Sequence, residues 1–286
     1  MDPKTSSVSY MSPSGYKYDY VFLFETTIMD DTYRLETMQS LKKHWKIAFY
    51  ISLFYILTIF SLKYYMARRQ AYSLKLPLIL WNAGLAIFSF LGAYRTLPEF
   101  IYVVTEKGFK YSVCVETFSY GVTGFWLWMY ILSKPFELID TVFLILRKRE
   151  VIFLHWYHHL SVLLIVWFNT TEYPSTSRWF ATINYSIHAV MYTYYLIMAL
   201  KIVYMPKIIS MMITSMQIIQ MIIGVYINYK AYQYKLNGES CNVSYLNIYL
   251  VFLMYFSFFY LFSKFFLDKY IFSKPERSST KMKKEF

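Results

Sequence analysis

The sequence has 286 residues, 57% of them hydrophobic and 22% aromatic, with only 16% charged and a formal net charge of +12. Ordinary soluble domains carry about a quarter charged residues, so this composition excludes that class. No nucleic-acid-binding motif accompanies the positive charge, which points instead to anionic lipid surfaces and membrane topology.

In chain order, residues 1–31 are polar and lack the basic-then-apolar layout of a cleaved signal peptide. Stretches 76–94, 208–229 and 240–263 contain no charge, and a helix of about 20 apolar residues crosses the hydrocarbon core. The pattern predicts an all-α polytopic membrane protein with seven spans at 46–65, 76–95, 117–146, 151–168, 178–200, 207–229 and 245–267. Pro135 is expected to kink the long third span. No repeat stands out. The expected layout is a polar extension over 1–40, one helical domain over 41–270 and a basic tail over 271–286.

Seven spans place the termini on opposite sides. One set of loops holds Arg68, Arg69, Lys75, the "RKR" at 147–149, Lys201, Lys207 and the tail lysines. The opposite set holds Arg95, Lys107, Lys110, Arg178, Lys230 and Lys235. The positive-inside rule then gives a lumenal N-terminus and a cytosolic C-terminus, although Lys42, Lys43 and Lys46 argue the other way. Cys114 and Cys241 both fall on the lumenal side, where an oxidising compartment would let them pair; two unrelated thiols are the alternative. Sequons occur at Asn169, Asn184 and Asn242; Asn184 lies in a span, which leaves Asn169 and Asn242 as glycosylation candidates. The terminal "KMKKEF" is similar to a dilysine retrieval signal of the endoplasmic reticulum.

Ionisable side chains inside spans are costly, so function is the first hypothesis for them. Lys134, Glu137, Asp140 and Thr141 in "SKPFELIDT" share part of one helix face. His155, His158 and His159 lie at i, i+3 and i+4 in "HWYHH". In "NYSIHAVMYTYY", Asn184, His188, Met191, Tyr192 and Tyr195 form a stripe. Gln217 and Gln220 in "TSMQIIQ" are amides of a kind that also glues membrane helices together.

Two chemistries compete for the histidines. Three or four imidazoles could hold zinc, and membrane desaturases and hydroxylases use larger histidine clusters on metal; this chain has five histidines in all. Imidazole can instead act as nucleophile and base in acyl transfer. Neither cysteine sits near the histidines in this topology, and the serines lack a nucleophile-elbow pattern. Arg147, Lys148, Arg149 and Lys207 at the cytosolic mouth could meet carrier phosphates, with plain topology as their alternative reading. A seven-helix receptor or transporter is a third reading, weakened by the missing repeat.

Taken together, "KPFELIDT", "HWYHH", "NYSIHAVMYTYY" and "TSMQIIQ" resemble the motif set of the very-long-chain fatty acid elongases, in the same order over about residues 40–270. Trp156, "LPLILWNAGLAIFSFLGAYRT" and "QMIIGVYINY" are similar to the elongase 6 branch, which acts on saturated and monounsaturated acyl-CoA. The first forty residues and "ALKIVYMPK" depart from the pattern. The resemblance implies a 3-oxoacyl-CoA synthase of the endoplasmic reticulum that condenses long-chain acyl-CoA with malonyl-CoA and needs no metal or other cofactor. It implies an acyl-imidazole on His158, with His188 aiding decarboxylation, His155 and His159 orienting and shuttling protons, and Lys134, Glu137 and Asp140 holding the network. Asn184, Tyr192 and Gln220 would supply hydrogen bonds. The implied fold is a six-helix barrel closed at the lumenal end around a tunnel, with a seventh helix outside and room for a lumenal disulfide. The lipid bilayer and the reductase, dehydratase and enoyl reductase of the elongation cycle are the implied partners, and a homodimer is left open.

Overall fold

A computed structural model describes residues 9–25 and 31–272, with side chains left out of account at 31–35. The dilysine pair Lys283 and Lys284 lies outside the described residues. A short antiparallel hairpin, β1 (Tyr10–Met11) and β2 (Lys17–Tyr18), precedes the helices. These are α1 (Asp31–His44), α2 (Ile47–Ala67), α3 (Lys75–Tyr102), α4 (Phe109–Cys114), α5 (Gly121–Glu137), α6 (Ile139–Leu146), α7 (Phe153–Phe168), α8 (Ser177–Leu200), α9 (Lys207–Leu236) and α10 (Tyr245–Phe266).

Among the described residues, four segments are long and apolar enough to cross a membrane: Ile47–Ala67, Lys75–Lys107, Lys207–Leu236 and Tyr245–Ile271. The chain is a multi-pass, helical membrane protein. In lipid each backbone donor and acceptor must be satisfied within the protein, which is why such apolar runs become helices. The other expected spans differ in a physical way. The run predicted over 117–146 is divided into α5 and α6. The break falls at Leu138 rather than at Pro135, which stays inside α5. Proline cannot donate to the carbonyl one turn back; that carbonyl, Ile131 O, is capped from another helix by the Trp167 indole N–H at 3.2 Å. Helix α7 is short, at 16 residues, and α8 is interrupted by polar side chains.

Helices also run past their expected ends. Arg95 and Arg178, read above as loop charges, lie within α3 and α8 and are buried. Each has a carboxylate partner, which is what permits an ion to be buried at all.

Neighbouring helices follow one another as α3, α8, α9, α10, α7, α5 and back to α3, while α2 packs from outside against α6 and α7. Packing in lipid gains nothing from the hydrophobic effect, so close approach at small residues matters. Gly92 of α3 lies directly beneath the Tyr185 ring of α8, and Gly224 of α9 beneath Tyr255 of α10; a Cβ at either would collide with the ring. These two glycines let α3 approach α8, and α9 approach α10, closely.

One end holds a set of polar locks. Cys114, at the end of α4, forms a disulfide with Cys241, just before α10. Arg178 bonds Glu99, the carbonyls of Ser112 and Val115, and the Thr117 hydroxyl. Ahead of α1, residues 9–25 form a strap across α3 and α5. Glu25, fully buried, takes two bonds from Arg95 at 2.8 and 2.7 Å and one from the Trp126 indole at 2.8 Å. Tyr18 donates to the Arg95 carbonyl at 3.0 Å. The opposite end carries Arg147, Arg149 and Lys201 around a cavity described below.

Candidate active site

The sequons part company first. Asn169 accepts a bond from the Asn247 amide at 2.7 Å, which occupies its side chain. Asn242 keeps an exposed side chain, while its backbone bonds Cys114 and Ser175. Asn184 lies inside α8 and belongs to the site described next.

Helix α7 presents His155, His158 and His159 from one face, and α8 presents Asn184, His188 and Tyr192 opposite them. All six open onto one cavity of about 230 Å³. The His158 ring packs on Phe258 and Phe262 of α10, with centroids 4.9 and 6.0 Å away. His155 and His159 are 4.6 Å apart. Among the described residues, no hydrogen bond from another side chain engages the His158 ring nitrogens. His158 also lines a second, apolar cavity of about 50 Å³ that runs toward the disulfide end between Leu127, Ile131, Val166 and Phe180. Asn184 and Gln220 are shared by the two spaces.

The "SKPFELIDT" cluster divides into three branches because of the turn at Leu138. In the first, Lys134 Nζ donates to Glu137 Oε1 at 2.7 Å and to Asn184 Oδ1 at 3.2 Å. Lysine can only donate, so the Asn184 oxygen must face it. The Asn184 amide N–H₂ then faces His188 Nε2 at 3.1 Å. His188 is thereby held with its lone pair at Nε2 and its proton at Nδ1. In the second, Asp140 takes bonds from Trp81 Nε1 at 2.6 Å and the Tyr192 hydroxyl at 2.8 Å. The single network expected around Lys134, Glu137 and Asp140 is therefore two, with Asp140 held from α3 and α8. In the third, the Thr141 hydroxyl bridges Tyr55 of α2 at 2.6 Å and His155 Nε2 at 3.0 Å. Gln217 reaches the Met191 sulfur at 3.4 Å.

A third cavity, of about 770 Å³, opens at the basic end. It shares Asp140, His155 and Tyr195 with the histidine chamber, so the two meet there. Its basic lining is Arg147, Arg149 and Lys201. Lys148 and Lys207, expected at the same mouth, are not part of its lining. Lys148 adopts a left-handed backbone (φ 51°) in the turn after α6, and Lys207 lies over the Tyr270 ring at 5.7 Å. Lys201 ends α8, also left-handed (φ 57°), where its N–H bonds the Ile197 carbonyl at 3.1 Å.

Sequence reasoning missed Trp81 and Tyr55, aromatic residues in spans full of aromatic residues; no local pattern marks them. Among the described residues, no three His, Cys, Asp or Glu side chains are grouped so as to hold a metal ion.

Comparison with known proteins gives this geometry a family. The chain is 45% identical over 258 residues to very long chain fatty acid elongase 6 of Drosophila melanogaster, covering 89% of this chain and 80% of that protein. It is 40% identical over 282 residues to putative fatty acid elongase 3 of Caenorhabditis elegans, covering 94% and 86%. It is 41% identical over 237 residues to very long chain fatty acid elongase 6 of Homo sapiens, covering 82% and 89%. The ELO family model, described as the GNS1/SUR4 family, matches residues 40–279. That span takes in both histidine-bearing helices and all three branches of the polar network, and the chain belongs to this family.

Proposed function

We propose that this protein is a fatty acid elongase that condenses long-chain acyl-CoA with malonyl-CoA to give 3-oxoacyl-CoA, carbon dioxide and free CoA. The observation that carries the reading is the place of His158, a ring free of hydrogen bonds from other side chains at the meeting point of an apolar cavity and a polar chamber. In this reading the acyl tail runs into the apolar side, whose space of about 50 Å³ must widen to take it, and its thioester carbonyl lies at the imidazole.

A His158 nitrogen attacks that carbonyl, the C–S bond breaks, and the CoA thiolate leaves through the basic cavity with the ring proton. The result is an acyl-imidazole. Malonyl-CoA then enters the chamber and loses carbon dioxide. The enolate attacks the acyl carbon, the C–N bond breaks as the C–C bond forms, and His158 takes a proton from solvent through the basic cavity to return to neutral imidazole. His188, with its proton at Nδ1 and its Nε2 held by Asn184, steadies the enolate or its carboxylate precursor. Arg147, Arg149 and Lys201 meet CoA phosphates, for which charge-assisted bonds are the natural contacts.

In this reading the ring of helices is a barrel across the bilayer, with α2 outside. The disulfide end faces the lumen of the endoplasmic reticulum and the basic end the cytosol, where the reductase, dehydratase and enoyl reductase of the cycle take the product. No metal takes part. Acyl chains of about palmitoyl length, saturated or monounsaturated, are the substrates favoured by the similarity to elongase 6 proteins.

Intact-mass spectrometry of purified protein incubated with palmitoyl-CoA alone tests this. One acyl group added in the wild type and none in His158→Ala is the expected result. An adduct elsewhere, or turnover abolished by metal chelators, overturns the proposal.

A further inference from the structure

Helix α2 has one buried stripe, formed by Ala48, Ser52, Tyr55, Ile59 and Met66. Ile51 and Leu62 flank this stripe against the core, and most of the other residues are exposed. Three of its tyrosines show the contrast: Tyr50 is 74% exposed and Tyr64 81%, whereas Tyr55 is 4% exposed. A phenylalanine would fill the Tyr55 site without the cost of burying a hydroxyl, which low-dielectric surroundings make expensive when unpaired. The hydroxyl is paired, with Thr141 Oγ1 at 2.6 Å, and Thr141 is paired in turn with His155 Nε2 at 3.0 Å.

The direction of these bonds follows from counting protons. Thr141 is the side-chain partner found for the Tyr55 hydroxyl among the described residues. If Thr141 donated to Tyr55, the phenol proton would have no acceptor, and a buried unmade bond is penalised. If Tyr55 donates to Thr141, then Thr141 donates to His155 Nε2, and both hydroxyl protons are used. His155 Nε2 is then an acceptor, and the ring carries its proton at Nδ1.

We propose that Tyr55 is a positioning residue: through Thr141 it locks His155 as the Nδ1–H tautomer, so that His155 meets the substrate as a hydrogen-bond donor and not as a base. The proposal deepens the acyl-transfer reading above and rests on it for the identity of the substrate. His155 stands where the basic cavity meets the histidine chamber. A donor there suits an oxygen acceptor on the carrier-linked substrate, the thioester carbonyl or the malonyl carboxylate, on its way to His158. A helix outside the ring thus acts on the site with no contact to substrate.

The test uses full-length protein with ¹⁵N-labelled histidine rings, examined by NMR without substrate and then assayed with palmitoyl-CoA and malonyl-CoA. Tyr55→Phe removes one oxygen and keeps the packing. It should move the His155 signals away from the pure Nδ1–H pattern and lower kcat about tenfold, the worth of one hydrogen bond, with KM for acyl-CoA unchanged. Thr141→Val should give the same spectrum, and the two substitutions together should cost no more than Thr141→Val alone. Thr141→Ser, which keeps the hydroxyl, should retain the wild-type tautomer. A wild-type His155 spectrum in both Tyr55→Phe and Thr141→Val overturns the proposal, as do losses that multiply in the double variant. If wild-type protein holds no acyl group on His158, the acyl-transfer reading fails by itself, and the substrate-free spectrum still decides the relay.

Discussion

Two buried ion pairs of like chemistry sit in the two halves of the molecule and do different work. Arg178 and Glu99 are wholly buried at the disulfide end, and their further partners are backbone carbonyls and a threonine. None of them lines the histidine chamber, the apolar cavity or the basic cavity. Lys134 and Glu137 are nearly as buried, yet Lys134 holds Asn184, and Asn184 faces His188 on the wall of the histidine chamber. A buried charge pair is therefore read by what its spare donors touch. Spent on backbone, they tie elements together; spent on an amide beside an imidazole, they choose which nitrogen keeps its proton.

Substitution can break this contrast, and the largest effect belongs to the sealed pair. Arg178→Met leaves Glu99 as an uncompensated buried charge and should cost about 3–5 kcal/mol, seen as a large fall in the midpoint of thermal unfolding followed by size exclusion. The Cys114→Ser, Cys241→Ser double variant, which opens a loop with a sequence separation of 127, should lose about 2–4 kcal/mol on the same measure. Removing both charges is the sharper comparison. Lys134→Met with Glu137→Leu orphans no ion and should leave the midpoint nearly in place, while turnover of palmitoyl-CoA falls roughly 100-fold as His188 loses its orientation. Arg178→Met with Glu99→Leu should keep turnover; equal losses in the two double variants would erase the distinction drawn here. The smallest effect is at the open end. Lys201→Ala should raise KM for acyl-CoA by about fivefold, the scale of one exposed ionic contact. Lys148→Ala, outside the cavity, should not change it.

The pattern of the site was legible where chemistry is local in sequence. "HWYHH" and "NYSIHAVMYTYY" place their polar groups on single helical faces, and the structure brings His155, His158, His159, Asn184 and His188 to one cavity. Partners supplied by distant helices were not legible. Trp81 meets Asp140 across 59 positions and Tyr55 meets Thr141 across 86, and aromatic residues in a chain this rich in them carry no periodic signal. Which basic residues line the open cavity was half legible: the charge run at 147–149 was evident, but a left-handed turn at Lys148 decides which of its members face inward. For the fold, apolar length located the spans, while the division at Leu138 depends on how the region around Pro135 is packed by Trp167. The burial of Arg95 could not be read from its neighbours, because its counter-ion, Glu25, lies 70 positions earlier in a segment that precedes the matched family region.

That strap carries a consequence for biosynthesis. A ribosome releases Glu25 well before Arg95, and Trp126 comes later still, 101 positions after the carboxylate. The nascent chain thus carries a charged group destined for a dry site before either of its anchors exists. Until α3 and α5 are both inserted, that carboxylate stays hydrated, and its docking reports that translation has passed the midpoint of the helical assembly.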